Sequence, residues 1–177
     1  MKLLYAFLAV FGPLILIKLF YAVGTVMALP RTKGALFVST SRRKIRAILE
    51  ALSFSPETKL VDLGCGDGRF LRAVYRRYGV VGEGFEINPW AYFLARFYNW
   101  LARCPARVKR RDFMKEDLSR YEVIFCYLFP DLLLDLAPKL KAETKPGTII
   151  ISCNFPLPGW TPWMVLEEDD PIYIYRR

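Results

Sequence analysis

The chain has 177 residues, of which 54% are hydrophobic and 15% aromatic; this is enough for one domain and an appendage and excludes two full domains. Basic residues outnumber acidic ones by 26 to 17, for a formal charge of +9. The chain contains no histidine, which excludes any mechanism that uses the most common base at neutral pH. The four cysteines have no paired or metal-ligand spacing, so nothing in their pattern requires a metal site or a disulfide, in keeping with a reducing compartment.

The chain begins with a long apolar segment. Between residues 3 and 29 the only charged side chain is that of Lys18. At about 1.5 Å per residue, a helix of this length exceeds the roughly 30 Å hydrocarbon layer of a membrane. A cleaved signal peptide is the weaker alternative, because the segment is longer than a typical signal core and lacks a small-x-small cleavage site. We therefore expect one N-terminal transmembrane helix, partly interfacial near its end, over residues 1–30, and a single domain over residues 31–177.

Basic residues follow this segment, and no acid occurs before Glu50. The positive-inside rule then predicts that the domain is cytoplasmic. An anionic membrane surface attracts such residues by about 1 kcal/mol each. Five basic residues in positions 103–111 also suggest nucleic acid, but no zinc-finger or RNA-recognition signature accompanies them. We therefore expect an anionic membrane surface as a partner and consider nucleic acid the weaker alternative.

A strand, a glycine-rich turn and a helix form the most informative part of the chain. A helix with an N-cap among residues 39–41 is predicted over residues 40–52, followed by a buried strand over residues 59–63 and a helix over Arg69–Tyr78. The turn between strand and helix contains Gly64, Cys65, Gly66 and Gly68. Glycine permits backbone angles that a Cβ forbids, and it lets a ligand lie against bare backbone. The pattern predicts a ligand site.

Charge and spacing select the ligand. The glycines read G-x-G-x-G, whereas the pyrophosphate fingerprint is G-x-G-x-x-G. Asp62 and Asp67 would repel a pyrophosphate but attract a ligand that carries an ammonium and a sulfonium. Glu86 ends the next strand, predicted over residues 80–87, where an acid can accept both ribose hydroxyls. These features predict S-adenosyl-L-methionine as the cofactor; a glycine-rich turn with no ligand is the alternative.

The remaining pattern predicts the fold class. Asn88 and Pro89 open a helix to about residue 103, whose apolar stripe (Trp90, Phe93, Leu94, Phe97 and Leu101) we expect to lie in the core. Strands are predicted over residues 106–113, 121–129 and 148–155, a helix over 130–142 interrupted by Pro138, and a closing antiparallel pair over 165–169 and 172–175. This alternation predicts an α/β fold with a doubly wound, mostly parallel, seven-stranded sheet.

Ligands of such sheets lie at the carboxyl ends of the strands. That rule places Asn88 beside Glu86 at the end of the second strand. It also places Asp112 and Phe113 at the end of the third, where the acid can accept the adenine amino group and the ring can stack on the base. A helix or turn cap is the alternative role for Asp112.

Several segments together resemble the class I (seven-β-strand, Rossmann-like) methyltransferases, and more narrowly the lysine methyltransferases of the ATP synthase c-subunit and adenine nucleotide translocase. They are residues 37–40, 61–69, 84–90, 111–113 and 155–162. The most specific are Glu-Ile-Asn-Pro-Trp from Glu86 and Phe-Pro-Leu-Pro-x-Trp ending at Trp160. Archaeal protein-lysine methyltransferases are similar at a greater distance. The resemblance implies that the glycine loop, Glu86 and Asp112 hold S-adenosylmethionine, and that the acceptor is a lysine of a membrane-associated protein.

The acceptor channel is predicted from the ends of the later strands. We expect Tyr127, Asn154 and Trp160 to line it, because the first two can accept hydrogen bonds from an amine and the indole offers a cation-π face. An ordinary structural role at a strand end is the alternative for each. A quinone or lipid acceptor, or a membrane-tethered assembly factor without catalysis, also fits the anchor. The start of the chain has no arginine-rich stretch for mitochondrial import, which favours a prokaryotic plasma membrane.

Overall fold

The computed structural model describes residues 1–28 and 38–177. The helices are α1 (Lys2–Ala28), α2 (Arg42–Ala51), α3 (Arg69–Tyr78), α4 (Pro89–Leu101) and α5 (Pro130–Glu143), with a short 3-10 turn at Phe113–Lys115. The strands are β1 (Leu60–Leu63), β2 (Glu83–Phe85), β3 (Arg107–Lys109), β4 (Val123–Cys126), β5 (Ile149–Cys153), β6 (Met164–Leu166) and β7 (Ile172–Arg176).

One seven-stranded sheet organises the domain, in the order β3-β2-β1-β4-β5-β7-β6. Strands β1 to β5 are parallel, β7 is antiparallel to β5, and β6 is antiparallel to β7. The predicted doubly wound sheet and its closing antiparallel pair are therefore confirmed. The strand order reverses between β1 and β4, and such a switch point opens a crevice at the carboxyl ends of the two strands.

The sheet separates two apolar core clusters. On one side the Phe70 ring of α3 stacks on Phe125 of β4, with ring centroids 3.9 Å apart. On the other side α5 packs Leu133 and Leu136, both fully buried, against the sheet. Helix α5 is continuous through Pro138, contrary to the expected interruption. Buried residues on both sides of the proline hold the helix to the sheet, which outweighs the one hydrogen bond that a proline removes.

The buried face of α4 is the opposite of the one expected. Ala91, Ala95 and Asn99 face the interior, whereas Phe93 and Phe97 are 53% and 54% exposed. The predicted core stripe is therefore wrong in the main. Small residues let the helix backbone approach the sheet edge closely, and this places the large side chains outside.

Helix α1 packs along α4 near its C-terminal end. The ring of Phe20 lies 5.9 Å from Trp90 and 5.8 Å from Phe93, and Tyr21 lies 6.0 Å from Trp90. Among residues 1–28 and 38–177, no helix has the combination of length and apolar character that crossing a membrane requires, so the transmembrane span expected here is not supported. The expected boundary between anchor and domain, at residues 30 and 31, lies outside the described residues.

Candidate cofactor and acceptor site

The glycine turn joins β1 to α3 in a shape that requires glycine. Gly64 and Gly68 both have φ of +75°, in the left-handed region that side chains rarely adopt. The backbone N–H groups of Gly64 and Cys65 both donate to the carbonyl of Phe85, at 2.9 and 3.0 Å. These bonds fix the turn against the end of β2. The turn therefore lies across the carboxyl ends of two neighbouring strands, where the sequence predicted a ligand.

Asp62, the third residue of β1, is 2% exposed. Burial raises the pKa of its carboxyl well above the usual range, and the carboxylates of Glu86 and Asp67 raise it further. Within the described part of the chain, no donor forms a hydrogen bond to this carboxylate. Burying an acid without a partner is unfavourable for folding. Such an acid is typical of a site that binds a cationic ligand.

Asp67 differs from its predicted role, because other side chains already neutralise it. Its carboxylate accepts from Arg69 Nη2 at 2.8 Å and lies 3.9 Å from Arg72 Nη2. Arg69 also donates to the carbonyl of Thr40 at 3.1 Å, which ties the turn to the segment before α2. Of the two turn acids, Asp62 is therefore the one whose negative charge remains available to a ligand.

Glu86 is buried at the end of β2 and closes the other side of the turn. One carboxylate oxygen accepts from the Gly66 N–H and the other from the Asn88 N–H, both at 2.8 Å. Burial raises the pKa of Glu86, and the backbone N–H groups of Asn88, Gly66 and Ile87 oppose that rise. A carboxylate has about four lone-pair positions, so these backbone donors leave room for a further hydrogen bond from a ribose hydroxyl.

Asn88 and Asp112 both act as caps here. Asn88 Oδ1 accepts from the Trp90 N–H at 2.9 Å and caps α4. Asp112 Oδ1 accepts from the Met114 N–H at 3.0 Å and caps the 3-10 turn. Phe113 is half-buried against the second core cluster. Asp112 and Phe113 follow β3, which lies beside β2, so they sit at the same sheet edge as Glu86.

A narrow cleft runs from the glycine turn to the end of β4, and the described residues that line it do not include Glu86, Asn88, Asp112 or Phe113. Residues 38–40, the glycine turn, Phe125 and Tyr127 line it. Asp62, Gly64, Cys65 and Gly66 are therefore brought together as predicted. The two acids suit S-adenosylmethionine, because Asp62 places a buried carboxylate where an ammonium could pair with it and Glu86 places one at the end of β2 for a ribose.

A lysine amine occupies a polar cage beside this cleft. Lys44 Nζ donates to Asn154 Oδ1 and to Asp170 Oδ2, the latter at 2.6 Å, and lies 5.2 Å from the centre of the Tyr127 ring. Asn154 Nδ2 donates to the Tyr127 hydroxyl at 3.2 Å. Lys44 is only 5% exposed, and its bond helps to lower the pKa of Asp170. Tyr127 faces both the cage and the cleft, so the cage adjoins the cofactor residues.

The backbone of Asn154 supports a functional reading of this cage. Its φ is +69°, which is uncommon for a residue other than glycine and concentrates at functional sites. Its N–H donates to the Pro171 carbonyl at 2.8 Å, which fixes the residue just past β5. Trp160 does not join this group: it packs against the Tyr175 ring, 6.0 Å away, in the other core cluster.

Sequence reasoning missed two members of the cage. Lys44 lies in the first turn of α2, in a basic run that indicated only surface charge, and nothing in that pattern marks one lysine as buried. Asp170 precedes Pro171 between β6 and β7, where Asp-Pro is ordinary turn chemistry. Only the tertiary approach of α2 to the end of β5 brings the two residues together.

Comparisons with known proteins identify the family. The sequence signature of the ANTKMT methyltransferase domain matches residues 62–164. The chain is 37% identical over 142 residues to the mouse adenine nucleotide translocase lysine N-methyltransferase, which covers 78% of this chain and 62% of that protein. The chain belongs to this methyltransferase family. A human lysine N-methyltransferase of the ATP synthase c-subunit is 31% identical over 160 residues, covering 88% of this chain and 68% of the relative.

The family's fold is also seen in a solved structure. An RNA methyltransferase from Salinibacter ruber, in complex with S-adenosyl-L-homocysteine, superposes with a TM-score of 0.75 and 29% sequence identity. The match covers 78% of this chain and 93% of that one. The class I methyltransferase fold predicted from the sequence is therefore confirmed. The chain spans about two thirds of the length of the two curated relatives it matches.

Proposed function

We propose that the protein transfers the methyl group of S-adenosylmethionine to the ε-amine of a lysine in a membrane or membrane-associated protein. The observation that carries the proposal is the cage of Tyr127, Asn154 and Asp170. It already binds a lysine ammonium, that of Lys44, directly beside the cofactor residues. The names of the two curated relatives, both lysine N-methyltransferases, agree with this acceptor.

Carboxylates and an aromatic ring would bind three different parts of the cofactor. Asp62 would hold the α-ammonium, Glu86 would hold the ribose, and Asp112 with Phe113 would hold the adenine. Bound in this way, S-adenosylmethionine supplies an electrophilic methyl carbon on a sulfonium. The buried carboxylates also exclude a cofactor with a pyrophosphate, since a like charge in a partly desolvated cleft is repelled.

The acceptor amine takes the place of Lys44 in the cage. Asn154 Oδ1 and Asp170 orient its N–H groups, and the Tyr127 ring faces its charge. Transfer requires a neutral amine about 3 to 3.5 Å from the methyl carbon, so positioning supplies much of the acceleration. An ordinary lysine has a pKa of about 10.4, and desolvation lowers that value. Asp170 would accept a hydrogen bond from the ammonium, and because its side chain is half-exposed, the proton leaves the cage to solvent.

A membrane-associated acceptor is favoured by two features. The relatives are named for an adenine nucleotide translocase and for the ATP synthase c-subunit. Helix α1 carries exposed apolar side chains beside its contact with α4, and these suit an interfacial attachment. The excess of basic residues suits an anionic membrane surface, and we propose the cytoplasmic face of a prokaryotic plasma membrane as the location of the domain. RNA is the second candidate acceptor, because the solved relative from Salinibacter ruber is named an RNA methyltransferase.

A labelling experiment distinguishes these acceptors. Membranes and RNA from a strain without the gene are incubated with the purified full-length protein and radiolabelled cofactor. We expect label in a protein band. Label in the lipid extract indicates a quinone or lipid acceptor, and label in RNA indicates nucleic acid. No label at all, with cofactor binding intact by calorimetry, indicates a scaffold without catalysis; each of these three outcomes contradicts the proposal.

A further inference from the structure

The outer face of α4 is apolar and exposed. Phe93, Phe97, Trp100 and Leu101 recur at helical spacing, with exposed fractions from 53% to 74%. Single exposed apolar side chains are ordinary on a protein surface, but a continuous stripe with three aromatic rings indicates an apolar partner. We refer to these four residues as the α4 stripe. Its helical continuity means that one flat partner can contact all four side chains.

Helix α1 extends this surface. Phe20 lies 5.8 Å from Phe93 and is itself 41% exposed. Leu16, Leu19 and Val23 are also exposed, by 48% to 66%. Helix α1 therefore places further exposed apolar side chains beside the α4 stripe. Aliphatic side chains of this kind suit lipid chains rather than nucleic-acid bases, which stack on aromatic rings.

A groove rich in arginine adjoins the α4 stripe. It has a volume of about 970 Å³, lies among α2, α3 and the end of α4, and has Leu101 of the stripe in its wall. Its arginines are Arg42, Arg46, Arg69, Arg72, Arg76 and Arg77. Among the described residues, the acids that line the same groove are Glu50 and Asp67. An excess of four positive charges in one concave surface attracts a polyanionic partner.

Several of these charges are not neutralised within the protein. Asp67 is engaged by Arg69 and Arg72. In the part of the chain that the structure describes, Arg42, Arg46 and Arg76 form no ion pair. Burial lowers the pKa of Arg72, Asp67 opposes that effect, and the charges of Arg69 and Arg76 add to it. The groove therefore presents an uncompensated positive field next to an apolar stripe.

From these observations we infer that the α4 stripe and the arginine groove together form a binding site for an anionic phospholipid bilayer. The stripe contacts the acyl region, and the arginines contact the phosphates. Aromatic side chains next to arginines are expected where a surface helix lies at the level of the lipid headgroups. The inference deepens the proposed function and rests on it, because it assigns the surface through which the enzyme would reach a membrane-associated acceptor.

This site has a geometric consequence for catalysis. Asp67 and Arg69 line both the arginine groove and the cofactor cleft. A bilayer seated on the groove therefore lies next to the cleft. A lysine that emerges from the headgroup layer reaches the cage without the enzyme leaving the membrane.

The test uses a depth-sensitive probe on the full chain. All four native cysteines are buried and free, so an introduced surface cysteine can be labelled selectively with the fluorophore NBD. Trp100→Cys places the probe on the stripe. Leu134→Cys places it on the outer side of α5, where Leu134 is 59% exposed. On vesicles of phosphatidylcholine and phosphatidylglycerol with doxyl-labelled lipid, we expect several-fold stronger quenching at position 100 than at position 134. Equal quenching at the two positions, or none at position 100, overturns the inference.

A charge-matched pair of variants tests the groove. In the Trp100→Cys background, Arg46→Gln with Arg76→Gln should remove the preference for phosphatidylglycerol over pure phosphatidylcholine. Lys141→Gln with Lys145→Gln removes the same charge elsewhere and should retain that preference. If the arginine pair instead governs binding of an oligouridylate while position 100 stays unquenched on vesicles, the groove serves nucleic acid and the inference is overturned.

A parallel assay separates this inference from the proposed function. Methyl transfer to detergent-solubilised membrane proteins does not require a bilayer. We expect the arginine-pair variant to retain that transfer. If methyl transfer occurs in detergent but the probe test fails, only the bilayer site is rejected. If the parent protein shows no methyl transfer in detergent, that result counts against the proposed function.

Discussion

Asp62 is a residue at which folding stability and cofactor binding have opposite requirements. Its carboxylate is buried and has no hydrogen-bond donor in the described chain. We expect Asp62→Asn to raise the free energy of unfolding of the cofactor-free protein by roughly 1 to 3 kcal/mol, because the unpartnered charge is removed. The same change should weaken cofactor binding by roughly 10- to 100-fold, because a charge-assisted bond to the ammonium is lost. Chemical denaturation and calorimetry measure the two effects.

The raised pKa of Asp62 adds a pH dependence to this prediction. Because folding raises the pKa, the folded protein holds the proton more tightly than the unfolded chain does. The parent therefore loses stability as the pH rises from about 4, the ordinary carboxyl pKa, through the raised value. The stabilisation by Asp62→Asn should grow over that range, while Glu57→Gln, a change of the same charge on the surface, should show no such growth. A pH-independent difference for Asp62→Asn would contradict this assignment.

The site residues show what local sequence can reveal. The positions of the glycine turn, Asp62 and Glu86 were predictable because they depend on residue type and spacing along two adjacent strands. Asp67 was predicted as a ligand, yet Arg69, two residues later, neutralises it. The cage was predictable only in part, because Lys44 and Asp170 are far apart in the chain and meet through tertiary packing.

At the scale of elements, β2 and the glycine turn are packed too closely to accept an added methyl group. A Cβ on Gly84 would lie 2.7 Å from Cys65 Sγ and 2.8 Å from Leu71 Cδ1. We expect Gly84→Ala to lower the free energy of unfolding by roughly 1 to 3 kcal/mol through overpacking. Because Cys65 belongs to the turn, the cofactor affinity should fall as well. Thermal denaturation and calorimetry measure both.

Gly12→Ala is the control for that change, since nothing lies within 4 Å of its added Cβ. Its cofactor affinity should match that of the parent, and its free energy of unfolding should be unchanged or higher by up to about 1 kcal/mol, because alanine favours a helix interior more than glycine does. If Gly84→Ala also behaves like the parent, β2 does not pack against the turn as closely as described.

The elements themselves were largely predictable, because the domain alternates strands and helices with clear caps. Asn88 followed by Pro89 fixed the start of α4, and the glycine turn fixed the start of α3. The buried face of α4 was not predictable from hydrophobicity, since its core contacts are made by Ala91, Ala95 and Asn99. An apolar stripe at helical spacing has the same pattern whether it contacts a protein core or lies on the surface, and only the packed structure distinguishes these cases.

At the scale of the whole molecule, the cofactor cleft adjoins the amine cage through Tyr127 and the arginine groove through Asp67 and Arg69. The cleft forms where the strand order reverses between β1 and β4, and the cage forms where α2 meets the end of β5. The fold class followed from the sequence pattern. The shared lining of groove and cleft did not, because it depends on how α2, α3 and α4 pack together.

The central claim is that the methyl group reaches a lysine nitrogen. Its most direct test is to incubate membranes with the protein and trideuteromethyl-labelled cofactor, digest the labelled protein band, and locate the label by tandem mass spectrometry. We predict deuterated methyl groups on lysine Nε with the parent protein and at least a several-fold reduction with Asp62→Asn. Label on another amino acid, on lipid or on RNA, or no label from a parent protein that binds the cofactor, would contradict the account.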